Sequence, residues 1–253
     1  MNKKYIYFAS DFHLGVPTYE KSFEREQRIV KWLDSIKADA AEVFLAGDLF
    51  DFWFEYKYTA PKGFIRFLGK IAELTDAGIP VHVFTGNHDM WMYGYLPKEL
   101  GIQLYREPIK RTFSGKSFLI GHGDGLGPGD YKYKFIKKFF ASKVCQWLFA
   151  RLHPNFAFGL ANYFSKSSRA STGKKDEVFS GEEKEWLYTY CTEYLQQEHI
   201  DYFIFGHRHL PLQLPLKSNK GESMYINLGE WLNYNTYAVF DGTKVELKEF
   251  KLS

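Results

Sequence analysis

Five short apolar runs, each stopped by a cluster of Gly, Asp, Asn or His, constrain this chain more than any other feature: YIYFASD, AEVFLAGD, PVHVFTGNHD, SFLIGHGD and YFIFGHRH. Runs of this length bounded by turn residues read as strands of a buried sheet. Helix-like stretches at Phe23 to Lys37 and Gly63 to Ala77 separate the first three. Strands alternating with helices give an α/β fold, in which ligands gather beyond the carboxyl ends of the strands. All five runs place possible metal ligands at that edge.

The strand ends supply Asp11 and His13, Asp48, Asn87 and His88, His122, then His207 and His209 on either side of Arg208. One such motif alone is an ordinary cap or turn. Five of them, all at ends of apolar runs, point to a site. Leaving His88 aside, two carboxylates, one amide oxygen and four imidazoles form a mixed nitrogen and oxygen set that suits Mn²⁺, Fe or Zn²⁺ rather than Ca²⁺. Seven ligands exceed one tetrahedral site and suit two metals with a shared carboxylate. Asp48, standing alone between paired motifs, is the natural bridge.

A second region opens at GLGPGD, residues 125 to 130, where glycines and a proline break the pattern. In the following YKYKFIKKFFASKVCQWLFARLHP, Tyr133, Ile136, Phe140, Val144 and Trp147 recur at spacings of three and four and should share one helical face. From Leu126 to Lys175 there are ten Lys or Arg and one acid, Asp130, a charge of +9; the whole chain carries +3, so the remainder carries 3 − 9 = −6. A basic, aromatic segment is set into an acidic body. The stretch SGEEKEWLYTYCTEYLQQEH reads as a further helix with Ser180 as cap and Glu183 three residues on. SMYINLGEW, TYAVFDG and KVELKEF read as antiparallel strands completing a second sheet. The expected organisation is a single domain, 1–253, with a helical cap inserted at 126–180.

Cys145 and Cys191 form no CxxC pattern and no disulfide framework, so a reducing compartment is expected. The apolar run Tyr5 to Ala9 is too short for a signal peptide core, and no stretch approaches the roughly 18 apolar residues of a membrane span. The chain is therefore expected in the cytoplasm. The basic segment has no recognised nucleic-acid reader motif, so no nucleic-acid partner is expected.

The ordered blocks DFH, GD, GNHD, GHGD and GHRH, spanning residues 11 to 209, resemble the signature of the calcineurin-like metallophosphoesterases. The resemblance implies a four-layer αββα sandwich with a dinuclear site. It places Asp11, His13, Asp48 and His209 on one metal and Asp48, Asn87, His122 and His207 on the other. His88 and Asp11 are the expected catalytic residues: His88, beside Asn87 and with its ring oriented by a contact to Asp11, would protonate the leaving oxygen or hold a phosphate oxygen.

Within that superfamily, GDLFDFW, HGDGLGPGDYKY, FSKSSRAS and NLGEW are most similar to the UDP-2,3-diacylglucosamine diphosphatases of lipid A biosynthesis. That family uses Mn²⁺ at the cytoplasmic face of the inner membrane. It cleaves the pyrophosphate of a lipid-linked nucleotide sugar, releasing UMP and the acylated sugar 1-phosphate. By matched position, the substrate contacts would be Asn87, His88, Asp130, Tyr133, Ser165, Arg169, Lys174 and His207. One departure is GNHD where the best-known branch has GNRD; His88 restores the general phosphoesterase pattern and shortens the reach to the phosphate. The alternative is a calcineurin-like phosphodiesterase acting on a soluble nucleotide or other phosphodiester.

Overall fold

The computed structural model describes residues 4–129, 131–161, 163, 165, 178–218 and 221–252. The five apolar runs become β1 (Tyr5–Ala9), β2 (Ala40–Leu45), β3 (Val81–Phe84), β6 (Lys116–Ile120) and β7 (Tyr202–Phe205). They are joined by β4 (Gln103–Tyr105), β5 (Ile109–Phe113), β8 (Pro211–Ser218), β9 (Gly221–Leu228), β10 (Thr236–Phe240) and β11 (Val245–Glu249). One sheet runs β11-β10-β1-β2-β3-β4 and the other β5-β6-β7-β9-β8. β1 to β4 pair in parallel, as do β6, β7 and β9. Their carboxyl ends therefore point the same way within each sheet.

Helix α1 (Tyr19–Ile36) starts where the Thr18 side chain accepts from Lys21 N. It buries Ser22, Arg25, Glu26, Ile29, Trp32, Leu33 and Ile36, a stripe at helical spacing. Helix α2 (Ile65–Asp76) buries Phe67, Ile71 and Leu74 beside it. Both cover the outer face of the first sheet, meeting Tyr7, Val43, Leu45 and Val83. The short α3 (Tyr95–Leu100) adds Leu96 to the same layer. Between the sheets lie Phe8, Phe44, Phe84, Phe118, Ile120, Ile204 and Ile226. Helix α7 (Trp186–Gln197) covers the second sheet through Leu187, Cys191 and Leu195 against Phe203, Phe205 and Tyr225. These are the four layers of an αββα sandwich.

Three sequence expectations change. β10 and β11 extend the first sheet, antiparallel on the β1 side, rather than the second. The reason is that β10 is apolar on both faces: Ala238 and Phe240 enter the core between the sheets, while Val239 faces the helices. Next, the stretch expected to present one helical face, Tyr133 to Trp147, is two helices, α4 (Tyr131–Ala141) and α5 (Lys143–Phe149). Ser142 is extended and its hydroxyl accepts from Cys145 N, starting α5 afresh. Finally, α7 begins at Trp186, after a 3₁₀ turn at Glu182–Lys184, so Ser180 does not cap it. Glu185 stands at the cap position, and its carboxylate is taken by Arg208.

After α5, helical backbone continues over 154–161 as α6. This region meets the loops after β2 and β3 through rings: Phe149 lies 4.8 Å from Phe54 and 5.8 Å from Phe52 in the first and 4.7 Å from Trp91 in the second, and Phe158 lies 5.3 Å from Phe52. Trp91 Nε1 donates to the Phe140 carbonyl at 2.9 Å. The aromatic richness of FDFWFEY is thus the floor on which the helices sit.

Candidate metal centre

Each strand end turns sharply and presents a side chain. After β1, Asp11 and His13 both take left-handed backbone, φ 55° and 43°. Phe12 between them points the other way, onto Trp32, Phe67 and Trp231. The buried guanidinium of Arg25 ties this loop to α1 by donating to the carbonyls of Phe12, His13 and Val16. Asp48 (φ 52°), His207 (φ 70°) and His209 (φ 55°) are also left-handed. Non-glycine residues avoid this region, and such strain concentrates where surrounding structure over-determines it.

Glycines make room for the clustered Asp and His side chains. A Cβ on Gly86 would lie 2.1 Å from Asp48 Oδ1, one on Gly206 2.5 Å from Asp11 Oδ2, and one on Gly47 2.7 Å from His122 Nδ1. Gly47, Gly86 and Gly206 are therefore steric requirements of the site, which the sequence shows only as turn residues.

Asp11, His13, Asp48 and His209 bring ligand atoms within 4.8 Å of one another, and so do Asp48, His122 and His207. Asp48 belongs to both groups through one oxygen: Oδ2 is 3.9 Å from His13 Nε2 and 3.4 Å from His122 Nε2. Its Oδ1 accepts from His88 N at 2.8 Å. Asn87 Oδ1 joins the second group, 3.3 Å from His122 Nε2. His122 Nδ1 donates to the Ala46 carbonyl at 2.7 Å, so Nε2 is the nitrogen that faces the group and would bind a metal on losing its proton.

The donor set fits divalent metal. Asp11 Oδ1 and Asp48 Oδ2 are buried with no aligned donor among the described residues, and His13 Nε2 and His209 Nε2 face each other at 3.0 Å. Burial opposes charge on Asp11, yet the His13 and His209 rings hold its carboxyl well below the usual range. Burial likewise opposes charge on Asp48, and His122 and His88 outweigh it. Burial would lower His122, but Asp48 together with Asp11 and Asp124 pushes it up to about 10. Buried carboxylates that draw positive charge onto an imidazole are suited to a cation. The clustered Asp and His residues form a candidate dinuclear metal site.

The ring of His88 is set not by Asp11, the partner expected from sequence, but by Asp51. His88 Nδ1 donates to the Asp51 carbonyl at 3.1 Å, lies 3.6 Å from Asp51 Oδ1, and is 3.3 Å from Ser165 Oγ. Ser165 Oγ donates to Asp51 Oδ2 at 2.7 Å. Asp51 Oδ1 is also 3.7 Å from His13 Nδ1, so one carboxylate backs both rings. Tyr133 stands 6.3 Å from the His207 ring and donates to Asp124 Oδ2 at 2.8 Å. Asp130, Arg169 and Lys174 lie outside the described residues.

Asp51, Asp89 and Asp124 support the site without having stood out in sequence, although they sit inside GDLFD, GNHD and GHGD. Asp89 accepts from Gly86 N, Leu49 N and Phe50 N at 2.7, 2.8 and 3.3 Å, clamping the loops after β2 and β3 together. Asp124 takes an ion pair from Lys137 at 2.8 Å, joining α4 to the loop of His122.

The family profile described as calcineurin-like phosphoesterase matches residues 4–211. A protein named UDP-2,3-diacylglucosamine hydrolase from Porphyromonas gingivalis is 38% identical over 262 residues, covering 97% of each chain. A protein of the same name from Vibrio atlanticus is 26% identical, covering 98% of each. With five strand-end motifs converged on one cluster and a profile match over most of its length, the chain belongs to the calcineurin-like phosphoesterase family.

Proposed function

We propose that this protein hydrolyses the pyrophosphate bond of UDP-2,3-diacylglucosamine, giving UMP and 2,3-diacylglucosamine 1-phosphate, with two Mn²⁺ at the site. The observation that carries the substrate is end-to-end similarity to the Porphyromonas gingivalis hydrolase at 38% identity. The single oxygen of Asp48 shared between two ligand groups supports the reaction class. When bound, two such metals lower the pKa of a water and neutralise phosphoryl charge for in-line attack. In this reading Asp11, His13, Asp48 and His209 hold one ion, and Asp48, Asn87, His122 and His207 hold the other.

His88 is the group for the leaving oxygen. Its Nδ1–H is held by the Asp51 carbonyl, so Nε2 is the nitrogen that can meet substrate; it carries a proton for the leaving oxygen or for a phosphate oxygen only in the imidazolium form, which burial disfavours. Asp51 positions that ring, and Ser165 fixes Asp51. Tyr133 beside His207 flanks the phosphate position. Asp130, Arg169 and Lys174 remain proposed contacts by sequence match alone.

Residues 126–180 act as the inserted cap. Tyr131, Phe135, Phe139, Val144, Trp147, Leu148 and Phe156 expose large apolar surface there, with Lys138 and Lys143 exposed among them. Such a face suits acyl chains and an anionic lipid surface, each basic residue adding roughly 1 kcal/mol. No helix among the described residues is long and apolar enough to cross a membrane, so the proposed location is peripheral, on the cytoplasmic side of the inner membrane.

The test is to give Mn²⁺-loaded protein UDP-2,3-diacylglucosamine in detergent, in parallel with bis(p-nitrophenyl) phosphate, and to quantify UMP and nitrophenol. Efficient UMP release with weak diester turnover is expected. Good diester turnover with no UMP would overturn the lipid substrate and favour a soluble phosphodiester.

A further inference from the structure

The residue between the two site histidines has no place in the chemistry above, yet it is among the most buried charges in the molecule. Arg208 is 4% exposed and its partner Glu185 1% exposed. Arg208 Nε donates to Glu185 Oε2 at 2.8 Å. The guanidinium lies over the Trp186 ring at 4.9 Å, and that ring meets His207 edge-on at 6.3 Å. Glu185 Oε1 accepts from the Tyr225 hydroxyl at 3.4 Å. Arg208 thus points into the layer between the second sheet and α7, while the flanking histidines face the site.

A buried pair of this kind is weak grounds for stability, since apolar replacements are often neutral, but its best-attested use is to fix geometry. Here the geometry needs fixing. His207 and His209 both hold left-handed backbone that favours glycine, and a free GHRH loop would relax out of it. Two further ties on this loop, His207 N to Asp11 Oδ2 and Asn227 Nδ2 to the Gly206 carbonyl, act on its first half. From the Arg208 to Glu185 bond, we infer that this pair is a positioning device serving both ligand groups at once, because His207 belongs to one and His209 to the other. It rests on reading those groups as metal sites.

The experiment is calorimetric titration of metal-free protein with Mn²⁺, alongside thermal melts, for wild type, Arg208→Met, Arg208→Lys and Glu185→Gln. Wild type should bind two ions. Arg208→Met should weaken both sites about 10–100-fold, the range seen when supports behind metal ligands are removed. Arg208→Lys should recover part of the loss. Leu74→Ala, a core truncation in α2 within the helix layer of the other sheet, should lower the melting temperature while leaving Mn²⁺ affinity unchanged. Should Arg208→Met fail to fold, Glu185→Gln, nearly isosteric, must still weaken both sites. Wild-type affinity in folded Arg208 and Glu185 variants would overturn the inference, as would an equal loss of affinity in Leu74→Ala. Wild type that binds no Mn²⁺ would defeat the metal reading itself, a distinguishable failure.

Discussion

Gly86→Ala isolates the steric requirement of the site without touching a ligand. The added Cβ would sit 2.1 Å from Asp48 Oδ1, 2.6 Å from Asp48 Cγ and 2.6 Å from Asp48 N, against an ordinary contact of 3.4–4 Å. Swinging the Asp48 side chain about its Cα–Cβ bond would relieve the first two clashes but not the one with the backbone nitrogen. The loops after β2 and β3 must therefore separate, although Asp89 clamps them together. Overpacking of this kind costs about 1–3 kcal/mol. For a chain of this size that is roughly a 2–12 °C fall in melting temperature, at about 2–4 °C per kcal/mol. Because the displaced oxygen belongs to the residue shared by both groups, Mn²⁺ affinity should fall at both. Gly69→Ala is the control: Gly69 lies in α2 with nothing within 4 Å of an added Cβ, and alanine there should stabilise by about 0.5–1 kcal/mol. Scanning fluorimetry and Mn²⁺ titration of both variants make the comparison. A Gly86→Ala protein with unchanged melting and two tightly bound Mn²⁺ would refute the close-approach reasoning.

Asp48→Ala should abolish Mn²⁺ binding at both sites and reduce turnover to background, which metal analysis and the UMP assay report; retained activity would sink the shared-carboxylate assignment. His88→Ala should lower kcat by about 10²–10⁴, the usual worth of a positioned acid, with two Mn²⁺ still bound; lost metal would assign it a structural role instead. Lys138→Gln with Lys143→Gln should weaken binding to anionic vesicles about 30-fold, from roughly 1 kcal/mol per residue, in a flotation assay; unchanged binding would move the lipid contact elsewhere. Burial raises the Asp201 carboxyl, but hydrogen bonds from Ser117 N and Oγ outweigh it and leave it lowered. Its stabilisation is thus present above the ordinary carboxylate pKa of about 3.9 and lost as pH falls below that value. Asp201→Asn should melt with a flatter acid limb than wild type; identical limbs would show that the group is not linked.

The sheet ends were legible because chemistry and backbone coincide there: the glycines, carboxylates and imidazoles that make the site also stop the strands. Legibility failed where a residue's partner is distant or its choice is tertiary. TYAVF reads as a strand from its alternation, but which sheet it joins depends on both its faces being covered. Ser142 reads as one polar residue off a helical stripe, yet its hydroxyl accepts from Cys145 N and the helix is broken there. Asp51 and Ser165 are 114 residues apart, and no spacing pattern connects them. Arg208 is conspicuous by charge between two histidines, but its burial depends on Glu185 being released from capping duty at α7.

The left-handed ligands carry an evolutionary consequence. Asp11, His13, Asp48, His207 and His209 each hold a conformation in which a side chain costs about 1–2 kcal/mol and glycine costs far less. Replacing any of them by glycine would discard chemistry and relax the backbone together. Selection for folding alone would thus erode the centre, and a lineage that lost the need for hydrolysis would drift toward a sturdier, inert sandwich. This chain carries all five where glycine would be less strained, in keeping with the hydrolysis proposed for it.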